Sequence, residues 1–203
     1  MVIKAVFFDW DFTLVDPKIV LKKLLDDFCE KYKIPKDKYD IDELMLLNMK
    51  QVFKKLGIKK ISMPYILFEY LKLTKKYSKY YKFTGKETLK YLEKNNIPYV
   101  IITDNFKNVL RKNFDVNPEF IIDYWSTRGK KKKGIKKALK KMKLKPHEVC
   151  YVGDKPSDII AANEAGVFSI GILTTHSKEE MLKHKPDMLI TKIDDVKKLF
   201  KDK

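Results

Sequence analysis

Cysteine is almost absent from this 203-residue chain, which carries only Cys29 and Cys150. Two thiols build no disulfide framework, and Cys150 stands in an apolar run where a cysteine behaves as a small hydrophobe. Arginine is nearly as scarce. Basic residues number 44 against 27 acidic ones, a formal charge of +17, yet the only arginines are Arg111 and Arg128. Readers of base edges favour the bidentate arginine fork, whereas lysine enrichment is a tendency of heat-adapted proteins. A solvated lysine surface is therefore preferred over a dedicated nucleic-acid-binding one, although such a charge attracts anions of any kind. No apolar stretch approaches the roughly 18 residues of a membrane span, so no membrane partner is expected. Met1 runs straight into a strand-like segment, with no room for a removable leader, and a cytoplasmic location is expected. The three histidines, His147, His176 and His184, stand apart from one another and from any acidic cluster. They read as surface or capping residues rather than ligands.

A hydrophobic fraction of 44% and an aromatic fraction of 12% suffice for one substantial core carrying a modest inserted module. Val2–Phe8 is a buried strand. From residue 84 onward, strand-like and helix-like patterns alternate as in βα units. Thr84 caps a helix through Leu92, Tyr99–Ile102 is a strand, and helices follow over 106–114 and 134–142. A strand at Val149–Val152 leads to a helix over Ser157–Ala165, stopped by Gly166. A strand at Val167–Leu173, a helix opened by the capping box Ser177 and Glu180, a strand at Met188–Ile190 and a short helix at Val196–Phe200 complete the pattern. The predicted fold class is α/β: a Rossmann-like, mostly parallel sheet with right-handed crossovers and helices on both faces.

Between Pro17 and Tyr80 strand-like runs largely vanish, and Ile19, Val20, Leu24, Leu25 and Phe28 recur at helical spacing. A second helix includes Leu44, Leu47, Val52 and Leu56 ahead of Gly57, and a third covers Tyr65–Leu73 behind Pro64. The expected organisation is a core of residues 1–16 plus 82–203, with a helical module over 17–81. That module leaves the sheet directly after the first acidic motif, which makes it a lid candidate.

Acids at the carboxyl ends of parallel strands have no packing reason to be acidic, and ligands bind there. Asp9 and Asp11 follow Val2–Phe8, Thr103 and Asp104 follow Tyr99–Ile102, and Gly153 and Asp154, with Asp158, follow Val149–Val152. A carboxylate attacks phosphorus once a divalent cation and fixed donors neutralise the phosphoryl charge. Asp9 is the candidate nucleophile. Asp11, on the same side of an extended chain, is placed to protonate the departing alcohol and then activate water. Asp154 with Asp9 and the Asp11 carbonyl forms a hard oxygen set suited to Mg²⁺, with Asp158 in support. Thr103, and Asp104 beside it, are placed for the phosphoryl oxygens. A lysine must face them to balance charge, and in the run 130–133 Lys130 is the first choice and Lys131 the reserve.

This set resembles the haloacid dehalogenase superfamily, whose members carry a DxDx[TV] motif, a hydrophobic strand ending in Thr or Ser, a lysine before a helix, and a GDxxxD-type motif. The resemblance covers almost the whole chain. It implies that Asp9 is the nucleophile, Asp11 the general acid/base and Thr13 the flap-turn threonine. Thr103 falls at the second motif, the Lys130 region at the third, and Asp154 and Asp158 at the fourth. It also implies a helical cap of the C1 type and a Mg²⁺-dependent phosphomonoesterase of the phosphoglycolate phosphatase kind. The chain departs from the pattern at Phe12, where Gly or Asn is usual, and at Asp104, where Asn is common, which leaves Asn105 as a possible amide donor. No proline follows the lysine run.

The leading expectation is a phosphatase for a small phosphorylated metabolite. A sugar phosphomutase working through the same aspartyl-phosphate is the alternative enzyme, and a basic nucleic-acid-binding protein on the same scaffold the alternative class.

Overall fold

The computed structural model describes residues 2–35, 39–45, 47, 49–57, 63–104, 107, 110, 114–127 and 130–200. In chain order its elements are β1 (Ala5–Phe8), β2 (Val15–Asp16), α1 (Lys18–Lys31), α2 (Ile41–Met45), α3 (Met49–Lys55), α4 (Met63–Lys76), β3 (Lys82–Phe83), α5 (Lys86–Lys94) and β4 (Tyr99–Ile102). They continue with β5 (Phe120–Ile122), α6 (Tyr124–Thr127), α7 (Lys131–Met142), β6 (Val149–Gly153), α8 (Pro156–Ala165), β7 (Phe168–Ile172), α9 (Lys178–Leu182) and β8 (Met188–Ile190). A 3-10 helix over Ile193–Phe200 follows β8.

Six strands form one sheet in the order β5-β4-β1-β6-β7-β8, paired in parallel throughout. This is the Rossmann-like α/β class that the alternation of patterns predicts. β1 lies in the interior of the sheet between β4 and β6, with Phe8 opposite Ile101 on one side and Val152 on the other. A strand covered on both faces reads as a continuous apolar run rather than an alternating one, and all four residues of β1 are buried. Ala5 and Phe7 pack on one face with Ile135, Ala138 and Leu139 of α7 and with Ala161, Ala162 and Ala165 of α8.

The chain divides into two compact units, Met1–Asp16 with Phe83–Lys203, and Pro17–Lys82. The second unit holds a small core of Leu25, Cys29, Leu44 and Leu56, with Ile34, Tyr39, Leu47 and Val52 packed against it. Within it Asp27 accepts from Lys76 at 2.8 Å and from Tyr77 at 2.6 Å. Both cysteines are buried thiols, and burial pushes the Cys150 thiol up to about 12. Among the described residues, no helix is long and apolar enough to cross a membrane.

Several boundaries differ from the sequence expectation. The strand β5 has no counterpart in it, because three apolar residues behind Pro118 and Glu119 are too short a run to announce a strand. The N-cap of α5 is Gly85, while the Thr84 hydroxyl donates to the Leu14 carbonyl at 3.0 Å. The helix expected over Leu44–Leu56 is two, α2 and α3. Helix α7 starts at Lys131, three residues ahead of Gly134. Gly166 ends α8 at φ +76°, and the Ser177 capping box forms, with the Glu180 N–H donating to Ser177 Oγ at 3.2 Å. The helix expected over 106–114 lies outside the described residues except at 107, 110 and 114, as does Asn105.

Candidate active site

The carboxyl ends of β1, β4 and β6 are neighbours in the sheet, so the residues that follow them converge. Asp9 continues β1 and donates its backbone N–H to the Val152 carbonyl at 2.8 Å. That bond carries β1 one residue beyond its last strand residue and brings Asp9 beside the end of β6. Asp9, Asp154 and Asp158 are all buried, and one carboxylate oxygen of each lies within 4.8 Å of the others. Thr103 is buried at the end of β4, its N–H donating to the Ile122 carbonyl at 2.9 Å. Asp11 is partly exposed and Asp104 exposed, so neither belongs to the buried triad.

The lysine that enters is Lys131, not Lys130. Lys131 Nζ lies 2.8 Å from Asp9 Oδ1 and 2.6 Å from Asp158 Oδ1, with only 10% of its side chain exposed. Lys130 is the exposed N-cap of α7. The reason is helical register: α7 begins at Lys131, and each residue along a helix turns the side chain by about 100°. Lys132 turns outward to Glu164 at 3.0 Å.

Asp158 is held on both oxygens. Oδ2 accepts the Lys155 N–H at 3.0 Å, closing the first turn of α8, and Oδ1 accepts from Lys131 and from the Tyr151 hydroxyl at 3.3 Å. Gly153 makes room for it: a Cβ there would stand 2.4 Å from Asp158 Cβ. Asp154 is different. Its Oδ2 accepts from Thr175 Oγ1 at 2.7 Å, while Oδ1 is buried with no hydrogen-bond partner among the described residues. A buried, unpartnered carboxylate oxygen is costly unless something absent from the hydrogen-bond network satisfies it.

Charge follows the same logic. Burial pushes Asp9 well above the ordinary carboxylate range, with Asp158 and Asp154 adding to the shift and Lys131 opposing it. Asp154 is pushed up to about 6 by burial and by Asp158. Burial disfavours the Lys131 ammonium, but Asp158 and Asp9 outweigh it and hold the group protonated far above its usual range. Three buried carboxylates and one buried ammonium sum to two negative charges when all are ionised, which is the deficit a divalent cation cancels. The donor set is all oxygen, which suits a hard cation.

The DxD segment turns sharply. Trp10 points away from its acidic neighbours into an aromatic cluster, 5.8 Å from Phe83 and 4.7 Å from Phe114 between ring centroids. The N–H groups of Thr13, Leu14 and Val15 all reach the Trp10 carbonyl. Phe12 sits at φ +60°, a left-handed conformation that glycine adopts freely and bulky residues rarely do. Its N–H donates to Val15 and its carbonyl accepts from Thr174 Oγ1, both at 2.7 Å. Thr13 is buried.

Three neighbours of the site were not among the expected residues. Tyr151 left a trace in the sequence, as the one hydroxyl within a buried strand of small and aliphatic residues. Thr175 and His176 left none, because only the fold brings the loop after β7 beside Asp154. His176 Nδ1 stands 2.9 Å from Thr175 Oγ1, so this histidine is not isolated from the acidic cluster as the sequence suggested.

Parallel strands thus deliver three buried acids and a buried lysine to one point at their carboxyl ends, where α/β enzymes place their sites. The chain belongs to the haloacid dehalogenase-like hydrolase family, whose sequence model matches residues 6–172. It is similar in fold to a haloacid dehalogenase-like hydrolase from Streptococcus pneumoniae, with 22% identity over 98% of this chain and 99% of that one, at a TM-score of 0.84. It is likewise similar to a protein from Haemophilus somnus named as a predicted phosphoglycolate phosphatase, with 17% identity over 97% of each chain and a TM-score of 0.81. A pyrophosphatase of Bacillus pumilus is 36% identical over 63 residues. That match spans 30% of this chain and 29% of the relative's length.

Proposed function

We propose that the protein is a Mg²⁺-dependent phosphatase that hydrolyses a small phosphomonoester through an aspartyl-phosphate on Asp9. The observation that carries this reading is the buried triad of acids with one lysine, which carries two negative charges in excess when ionised and in which Asp154 Oδ1 has no hydrogen-bond partner among the described residues. Asp9, Asp154 and the Asp11 backbone carbonyl would hold the cation. Asp158 supports from behind, since its oxygens already accept from Lys131, Tyr151 and Lys155. When bound, Mg²⁺ supplies charge neutralisation for an anionic nucleophile approaching an anionic phosphoryl group.

The chain's own groups do the rest. Asp9 attacks phosphorus and the P–O bond to the leaving alcohol breaks. Asp11, partly exposed and next to the nucleophile, donates the proton that the alkoxide takes, and as a carboxylate it then removes a proton from the water that cleaves the acyl phosphate. Lys131 and the Thr103 hydroxyl hold the phosphoryl oxygens, with Asp104 at the rim. Lys131 opens α7, so the positive end of a helix adds to its charge. In this reading residues 1–16 plus 82–203 are the core domain, and residues 17–81 a helical cap domain that selects a small metabolite. The setting is cytoplasmic.

Phosphate release from a broad panel of phosphomonoesters, with inorganic pyrophosphate included because of the partial likeness to a pyrophosphatase, tests the reading. Turnover that needs Mg²⁺, stops in chelator and is lost in Asp9→Asn supports it. Mg²⁺-independent turnover, or full activity of Asp9→Asn, would overturn it.

A further inference from the structure

We infer that Thr175 is a positioning residue that fixes the rotation of the Asp154 carboxylate and so sets the affinity of the metal site. The inference rests on the metal reading given above and deepens it. A carboxylate turns broadly about its last bond, with no staggered wells to hold it. Asp154 is fully buried in the turn that follows β6, and the side-chain hydrogen bond described for its carboxylate comes from outside that strand. Thr175 supplies it from another loop. Its Oγ1 lies 2.7 Å from Asp154 Oδ2 and 3.0 Å from the Asp154 carbonyl oxygen. One oxygen of the carboxylate is thereby capped and the other, Oδ1, is left buried in the triad with Asp9 and Asp158, without a hydrogen-bond partner among the described residues.

The loop that carries the threonine is itself fixed at two points. His176 Nδ1 stands 2.9 Å from Thr175 Oγ1. A hydroxyl has one proton to give and lone pairs to receive with. With its proton directed to Asp154, Thr175 accepts from His176, which assigns the Nδ1–H tautomer to that ring. One residue earlier, Thr174 Oγ1 donates to the Phe12 carbonyl at 2.7 Å. The loop after β7 therefore grips both acidic loops, the turn behind Asp11 through Thr174 and the turn behind Gly153 through Thr175. Groups that orient a metal-binding carboxylate typically change metal affinity by about 10–100-fold when removed.

The test is Mn²⁺ titration of the full chain followed by electron paramagnetic resonance, without substrate, for wild type, Thr175→Val, Thr175→Ser and Asp154→Asn. Thr175→Val, which exchanges the hydroxyl for a methyl, is expected to weaken Mn²⁺ about 10–100-fold. Thr175→Ser keeps the hydroxyl and is expected to stay within about threefold of wild type, while Asp154→Asn loses the site. Thermal unfolding in chelator identifies a variant that has lost its fold, and Thr175→Ala then carries the same expectation as the valine. Wild-type affinity in Thr175→Val overturns the inference and leaves the metal site standing. Equal losses in the serine and valine variants overturn it too, since shape rather than the hydroxyl would then be at work. Absence of Mn²⁺ binding by wild type would overturn the metal reading and the inference together.

Discussion

The Lys131 ammonium lies 2.6 Å from Asp158 Oδ1, closer than its 2.8 Å contact with Asp9. The lysine is gripped from behind by an acid that is itself tied to the first turn of α8 and to Tyr151. Its head is thereby held at Asp9, with its charge secured against burial.

Exchanging the two lysines in turn separates position from composition. Lys131→Met is expected to lower kcat/KM by at least about 100-fold, the usual cost of losing a charge-stabilising donor. It should also destabilise the fold by about 3–5 kcal/mol, because it strands buried carboxylates. Lys130→Met, one residue away on the exposed side of the helix start, should alter neither by more than about twofold in rate or ~0.5 kcal/mol. Steady-state kinetics and urea unfolding check both.

The raised carboxyl of Asp154 fixes the sign of a pH effect. It titrates at about 6 in the folded chain against a usual 3.8. Between those values the folded chain keeps a proton that the unfolded chain has released, so stability falls as pH rises through that window. Burial of Asp9 acts in the same direction. In chelator, the unfolding temperature should therefore decline from about pH 4 to about pH 6, and Asp154→Asn should flatten the decline. Adding Mg²⁺ at neutral pH should restore the lost stability, since a ligand of the folded state alone stabilises it.

Phe12 carries a backbone cost that its neighbours impose. At φ +60° an asparagine is tolerated, whereas a β-branched residue is strained. Phe12→Val should be less stable than Phe12→Asn by about 1–2 kcal/mol, although valine is the more apolar of the two. Chemical denaturation of the pair reads this directly. The opposite order would show that packing of the ring, rather than the torsion, governs the position.

Gly153 is needed for contact rather than for torsion. A methyl there would meet Asp158 at 2.4 Å, pushing on the acid that holds Lys131. Gly153→Ala should cost about 1–3 kcal/mol of stability, the usual penalty for overpacking. Activity should fall with it, measured as kcat at saturating Mg²⁺.

Much of this was legible in the chain. Apolar runs closed by a polar residue mark strand ends, and Asp9, Thr103 and Asp154 stand directly after β1, β4 and β6. The lysine was legible only to within one residue. A helix start inferred from apolar spacing began at Gly134, because Lys131 to Lys133 contribute nothing to such spacing, and three residues of error turn the whole face. Thr175 was not legible at all. A threonine in a loop has no pattern around it, and its value comes from the β6–β7 pairing that sets it beside Asp154. The strand β5 escaped for a related reason, since Phe120–Ile122 gains its identity from pairing with β4 rather than from its own length.

The order of strands has a bearing on synthesis. β1 is translated before either of its partners, β4, starting at residue 99, and β6, starting at residue 149. At roughly 5–20 residues per second, β1 stays without either neighbour for about 5 to 20 seconds. In that interval four apolar residues expose both of their edges, a template for pairing with another chain. All of Pro17–Lys82 is translated during the same wait. The position that gives Asp9 its central place in the finished sheet is thus also where the nascent chain is most open to aggregation, and where a chaperone has most to protect.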